Sequence, residues 1–140
     1  MSTAQQIRLE SVAYDSVRVT DHTEWTVATL FDRRGALACV EITCGNRTAD
    51  VVRLLSESVA ALKGREIAGE RPIADLLRID LSQLRADRAL ATAVSALRTA
   101  LVDLRSQHDG VGLTEALGGD ARESVALYAN INRSLLGGDR

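Results

Sequence analysis

The apolar positions of the chain change period about a third of the way along. Ile7-Arg8-Leu9-Glu10 alternates. The phase then slips, and Val12 with Tyr14, and Val17 with Val19, alternate again, as in a bulged or bent strand. Trp25 to Phe31 (WTVATLF) and Ala36 to Thr43 (ALACVEIT) are rich in β-branched and aromatic residues. Between them, Asp32-Arg33-Arg34-Gly35 reads as a tight polar turn with its glycine placed for a left-handed conformation. Strands over about 7–43 in a three-stranded antiparallel meander are the simplest arrangement.

From Thr48 the period becomes helical, over about 48–118. Thr48 is the expected N-cap, with Asp50 in the first turn. Val51, Val52, Leu55, Val59 and Leu62 follow at helical spacing, and Gly64 supplies a stop. A shorter helical piece is expected from Ile73 to Leu77, running on toward Leu81 and Leu84, with Pro72 at its start. The strongest helix covers about Arg85 to Gln107. Leu90, Ala93, Val94, Leu97, Leu101 and Leu104 form its stripe, and Asp109-Gly110 ends it. A short turn (LTEALGG) follows, and Ser124 to Ile131 (SVALYANI) alternates as a late strand. Strands followed by helices predict an α+β domain, a meander with a helical bundle. The late strand has no sequence-adjacent partner in such a fold.

Composition narrows the function classes. The 140 residues are 46% hydrophobic and 26% charged with a net charge of −2, as in an ordinary globular domain. No apolar run reaches the ~18–20 residues of a membrane span, and Met1 to Glu10 has no secretory pattern, so a cytoplasmic protein is expected. Sixteen arginines and one lysine, in no basic block and with few aromatics, argue against nucleic acid as a partner. Cys39 and Cys44 are too few for a disulfide framework and fit a reducing compartment. The two histidines, His22 and His108, lie 86 positions apart, and the two cysteines have no second pair, so no metal site is expected. No phosphate-binding glycine loop and no G-x-S-x-G elbow is present. No catalytic residue is therefore expected in this chain. Two loops stand out as contact surfaces: Arg18 to Glu24 (RVTDHTE) and Cys44 to Arg47 (CGNR), both at one end of the meander. Their Asp21, His22, Thr23, Glu24, Cys44, Asn46 and Arg47 include groups that can hydrogen-bond a carboxylate or an acid sugar.

The order of elements and two stretches resemble the N-terminal capping domain of the enolase superfamily, in its mandelate racemase and muconate lactonizing branch. Ala96 to Gly119 (ALRTALVDLRSQHDGVGLTEALGG) is similar to that branch's A-(I/L)-D-x-A-L-W-D-L-x-x-K-x-x-G-x-P-(L/V)-x-x-L-L-G-G. The hairpin Trp25 to Thr43 is similar to the family's strand, turn and strand ending in G-x-G-E, with Glu41 at the glutamate position. Val125 to Arg133 (VALYANINR) looks like the first strand of the family's β/α barrel. Arg98, Val102, Gln107 and Gly112 depart from the helix motif, and Ala38 and Val40 replace the glycines before Glu41, which implies a divergent member.

The resemblance implies a capping domain over 1–122, and the first strand and tail of a barrel over 123–140. It implies a partner β/α barrel, as domain or subunit, that carries the bases and the Mg²⁺ ligands for removing a proton next to a carboxylate in a racemase, dehydratase or cycloisomerase. The two loops would then shape substrate specificity. The alternative is a non-enzymatic protein that reuses the cap fold for self-association as a homo-oligomer or for binding a partner.

Overall fold

The computed structural model describes residues 6–120 together with Ser124, Ala126 and Leu127. The strands are β1 (Leu9–Thr20), β2 (Thr23–Asp32) and β3 (Leu37–Glu41), paired antiparallel in the order β1-β2-β3. The helices are α1 (Thr48–Leu62), α2 (Ile73–Leu77), α3 (Leu81–Ala86), α4 (Arg88–Asp109) and α5 (Leu113–Ala116). The predicted α+β meander-then-helices architecture is the observed one.

The first phase slip is a bulge. Leu9 pairs with Asp32 and Ser11 with Phe31, so Glu10 is the extra residue. Leu9 and Val12, three apart, therefore reach the same face, with Tyr14 beyond them. The second slip is not a bulge. The ladder runs evenly from Ser11 to Arg18, so Val17 faces away from Tyr14. Val17, Val19 and Trp25 are left 52%, 43% and 50% exposed.

The inner face carries Leu9, Ala28, Leu30, Ala38 and Val40, all buried. Helix α1 covers it beside β1, where the Tyr14 hydroxyl sits 2.7 Å from Ser56 Oγ and 3.1 Å from the Val52 carbonyl. Helix α4 covers it beside β3 and packs on α1, with its Ala93, Leu97, Ala100, Leu101 and Leu104 buried in the common core. Each fully buried leucine there contributes about 1.5–3 kcal/mol relative to exposure. After α1 the chain is pinned back to the sheet by reciprocal bonds between Ile7 and Ile67, at 3.0 and 2.9 Å.

Three boundaries differ from the periodicity reading. Thr48 is not the N-cap of α1. Arg47 holds that position without a side-chain bond, and the Thr48 hydroxyl instead accepts from Cys44 N–H and donates to Gly45 C=O, both at 2.9 Å, closing the 3₁₀ turn Gly45–Arg47. The expected long helix from Arg85 splits at Asp87. Its carboxylate accepts from Ala89 and Leu90 N–H and starts α4, while Asp80 starts α3 through a capping box with Gln83. The expected loop Arg18–Glu24 contracts to Asp21-His22, with Arg18, Val19, Thr20, Thr23 and Glu24 in the strands. The expected late strand and the domain break at 122/123 lie outside the described residues, apart from Ser124, Ala126 and Leu127. Among the described residues no helix is long and apolar enough to cross a membrane.

Candidate functional site

The β1–β2 hairpin runs past the end of β3. Glu41, the last residue of β3, pairs with Val27, and β2 begins four residues earlier at Thr23. At ~3.3 Å per residue the tip projects about 13 Å beyond the third strand. Asp21 and His22 form the turn, with His22 N–H donating to Thr20 Oγ1 at 3.2 Å. A depression of about 200 Å³ at the tip is lined by Arg18, Thr20, Asp21, His22, Thr23 and Glu24. All six are exposed.

The second loop leaves the same end of the sheet. Ile42 N–H bonds Thr26 C=O at 2.8 Å, and Thr26 N–H bonds Thr43 Oγ1 at 2.9 Å, so the loop starts beside the base of the hairpin arm. Its residues then diverge. Cys44 is buried, with Thr92 of α4 donating to its sulfur at 3.8 Å. Asn46 is exposed. Arg47 is half-buried and already paired, through Nε with Asp50 and through Nη2 with Asp87 at 3.3 Å. The bond to Asp50 raises the Arg47 pKa, with Asp87 adding to it. Asp87 is held below the usual carboxylate range, chiefly by the Leu90 N–H, with Ala89 N–H and Arg47 adding to it. Arg47 thus ties the start of α1 to the cap of α4.

The two loops share an end of the domain without sharing a pocket. No residue of 44–47 lines the depression at the tip. What the arrangement offers chemically is a polar, exposed tip with donors and acceptors and, apart from it, an arginine already paired with Asp50 and Asp87. Among the described residues no group of three or more His, Cys, Asp or Glu side chains is placed to hold a metal ion, so these residues do not fit a Mg²⁺ centre.

Periodicity did not reveal two further features. One is a buried pair: Asp32 Oδ2 lies 2.5 Å from His108 Nε2, with the side chains 1% and 5% exposed. The approach is off the hydrogen-bonding line, and both atoms and His108 Nδ1 lack a hydrogen bond among the described residues. The other is a groove of about 540 Å³ between the edge of β3 and α4. The only advance sign of the pair was an aspartate opening a turn and a histidine in the last turn of a helix.

No protein-family description and no curated protein matches the sequence. Solved structures do match. A mandelate racemase/muconate lactonizing enzyme from Bordetella bronchiseptica RB50 superposes with a TM-score of 0.63 at 23% identity, over 82% of this chain and 34% of that one. A mandelate racemase/muconate lactonizing protein from Herpetosiphon aurantiacus gives 0.55 at 17% identity, over 79% and 32%. The chain therefore spans about a third of the length of these proteins. What the chain shares with them is the fold, a three-stranded antiparallel sheet followed by helices.

Proposed function

We propose that this chain is the capping domain of an enolase-superfamily enzyme that removes a proton next to a carboxylate, and that it does not catalyse without a β/α barrel. The observation that carries the reading is the shared fold, which covers four-fifths of this chain and only a third of its structural relatives. The projecting hairpin supports it, because a two-stranded ribbon is marginal alone and gains stability by resting on a second body. In this reading Asp21, His22, Thr23 and Glu24 close over the barrel mouth. Asn46 lies behind them, and Arg47 and Cys44 hold the second loop to α4. Both the bases and Mg²⁺ belong to the barrel, and the substrate is a carboxylate of the sugar-acid type. The assembled enzyme is placed in the cytoplasm.

The test is co-expression of this chain with the polypeptide encoded immediately downstream of codon 140, followed by proton NMR of sugar acids in D₂O. Deuterium wash-in at the carbon beside the carboxylate, abolished by EDTA and absent from either part alone, is expected. A downstream region that encodes no barrel, or wash-in by this chain alone after stringent purification, overturns the reading. A second reading, self-association without catalysis, is favoured by the outward Val17, Val19 and Trp25. A stable homodimer in light scattering, with no barrel encoded alongside, would select it.

A further inference from the structure

A groove of about 430 Å³ lies between α3, α4 and α5, in the size range of small-ligand sites. Leu84, Val94, Val102, Leu113 and Leu117 give it an apolar lining. Val94 is buried, and Leu84 and Val102 are half-buried. Leu113 and Leu117 stand 47% and 68% exposed. Covering them with hydrocarbon removes apolar surface from water, which is favourable in proportion to the area covered.

One edge of the groove is polar. Ser95, Arg98 and Thr99 lie within about one turn of each other on α4 and line it together. All three are exposed. Among the described residues the Arg98 guanidinium has no ion-pair partner, and neither the Ser95 nor the Thr99 hydroxyl has a hydrogen-bond partner. The carboxylate in the lining, Glu70, lies 3.8 Å from Arg71 instead. We propose that this groove binds an aliphatic carboxylate of medium chain length, its head group on Arg98, Ser95 and Thr99 and its chain over Val94, Val102, Leu113 and Leu117.

The chemistry of the lining selects this occupant. A guanidinium takes a carboxylate in a two-pronged, charge-assisted pair, and hydroxyls beside it donate to the same oxygens. A sugar acid would satisfy Arg98 but press its own hydroxyls against leucine, which strips them of water without return. An alkylammonium ion would bring like charge to Arg98. A second copy packed groove to groove would bring arginine toward arginine, because a two-fold contact sets the same patch on both sides. The lining residues 91–102 run about 16 Å along α4, long enough for an extended decanoate. The inference goes beyond the capping function and does not rest on it, since no residue of the hairpin tip lines this groove.

Decanoate, held below micelle formation, is titrated into the isotope-labelled 140-residue chain and followed by NMR amide shifts and calorimetry. Saturable binding is expected, with shifts centred on Val94, Arg98, Val102 and Leu113 and none at Asp21 or His22. Arg98→Glu should weaken decanoate by about 10–100-fold and make decyltrimethylammonium the tighter ligand. Leu117→Ser should weaken decanoate roughly tenfold. Gluconate, with the carboxylate and no apolar chain, and decanol, with the chain and no charge, should each bind at least roughly tenfold more weakly than decanoate. Both substituted residues are exposed, and the amides of buried Leu97 and Leu101 report that the fold is kept. The absence of saturable binding overturns the proposal. So does an affinity unchanged in Arg98→Glu, or equal affinity of the native chain for decanoate and decyltrimethylammonium, because either means adventitious adsorption to leucine.

Discussion

Asp32 does two jobs with one carboxylate. Its Oδ1 accepts from Arg34 and Ala36 N–H, both at 2.9 Å, and shapes the β2–β3 turn, while Oδ2 meets His108 at the end of α4. Asp32→Ala removes both in a buried place, and a loss of about 2–4 kcal/mol in urea unfolding is expected. Asp32→Asn keeps an acceptor for the turn and should lose less. Arg78 is the one described non-glycine residue with positive φ, at 56°, where it ends α2. Arg78→Gly relieves that conformation, and a gain of up to ~1 kcal/mol is expected in the same assay. Neither role was legible in advance. An Asp-Arg-Arg-Gly turn announces a hairpin, but which helix end meets its aspartate depends on how α4 lies across the sheet.

Among the elements, α4 carries the most. It touches α1, α2, α3, α5 and β3, and its buried stripe runs from Ala89 to Leu104. Leu101→Ala opens a cavity where surrounding helices cannot collapse freely, and a loss of about 2–5 kcal/mol is expected by urea unfolding. The starts of α3 and α4 make stability depend on acid. Asp80 is held below the usual carboxylate range mainly by the Ser82 hydroxyl and then by Gln83 N–H, and Asp87 is held down by the N–H groups of α4. A carboxyl whose folded pKa is depressed stabilises above its unfolded value, about 4, and that contribution disappears as pH falls through the lower folded value. The gap in thermal midpoint between the native chain and an Asp80→Asn, Asp87→Asn double variant should therefore be full at pH 7 and shrink steadily below pH 4. The caps at Asp80-x-x-Gln83 and Asp87 outweigh the continuous apolar spacing that predicted a single helix from Arg85.

At the scale of the whole molecule, stability and function separate. Asp21 and His22 are exposed at the projecting tip, so Asp21→Ala with His22→Ala should change urea stability by less than about 0.5 kcal/mol. Under the proposed capping function, the same pair of changes in the chain assembled with a barrel should shift the relative rates on different sugar acids, read as kcat/KM ratios. The sequence by itself determined the period change near Thr43, the hairpin turn, the apolar stripe of α4 and hence the α+β class, because these are local patterns whose spacing matches a strand or a helix. It also carried the resemblance to a capping domain, through co-linear stretches rather than any single residue. Tertiary structure alone decided which face Val17 takes, since a ladder that runs evenly from Ser11 to Arg18 places it opposite Tyr14 whatever its own hydrophobicity, while Val19 falls in a second register shift between Arg18 and Thr20. It alone gave Arg47 to Asp50 and Asp87 instead of leaving it loose in a loop. It also parted the hairpin tip from the 44–47 loop, because two strands that outrun the third carry their turn away from the body of the fold.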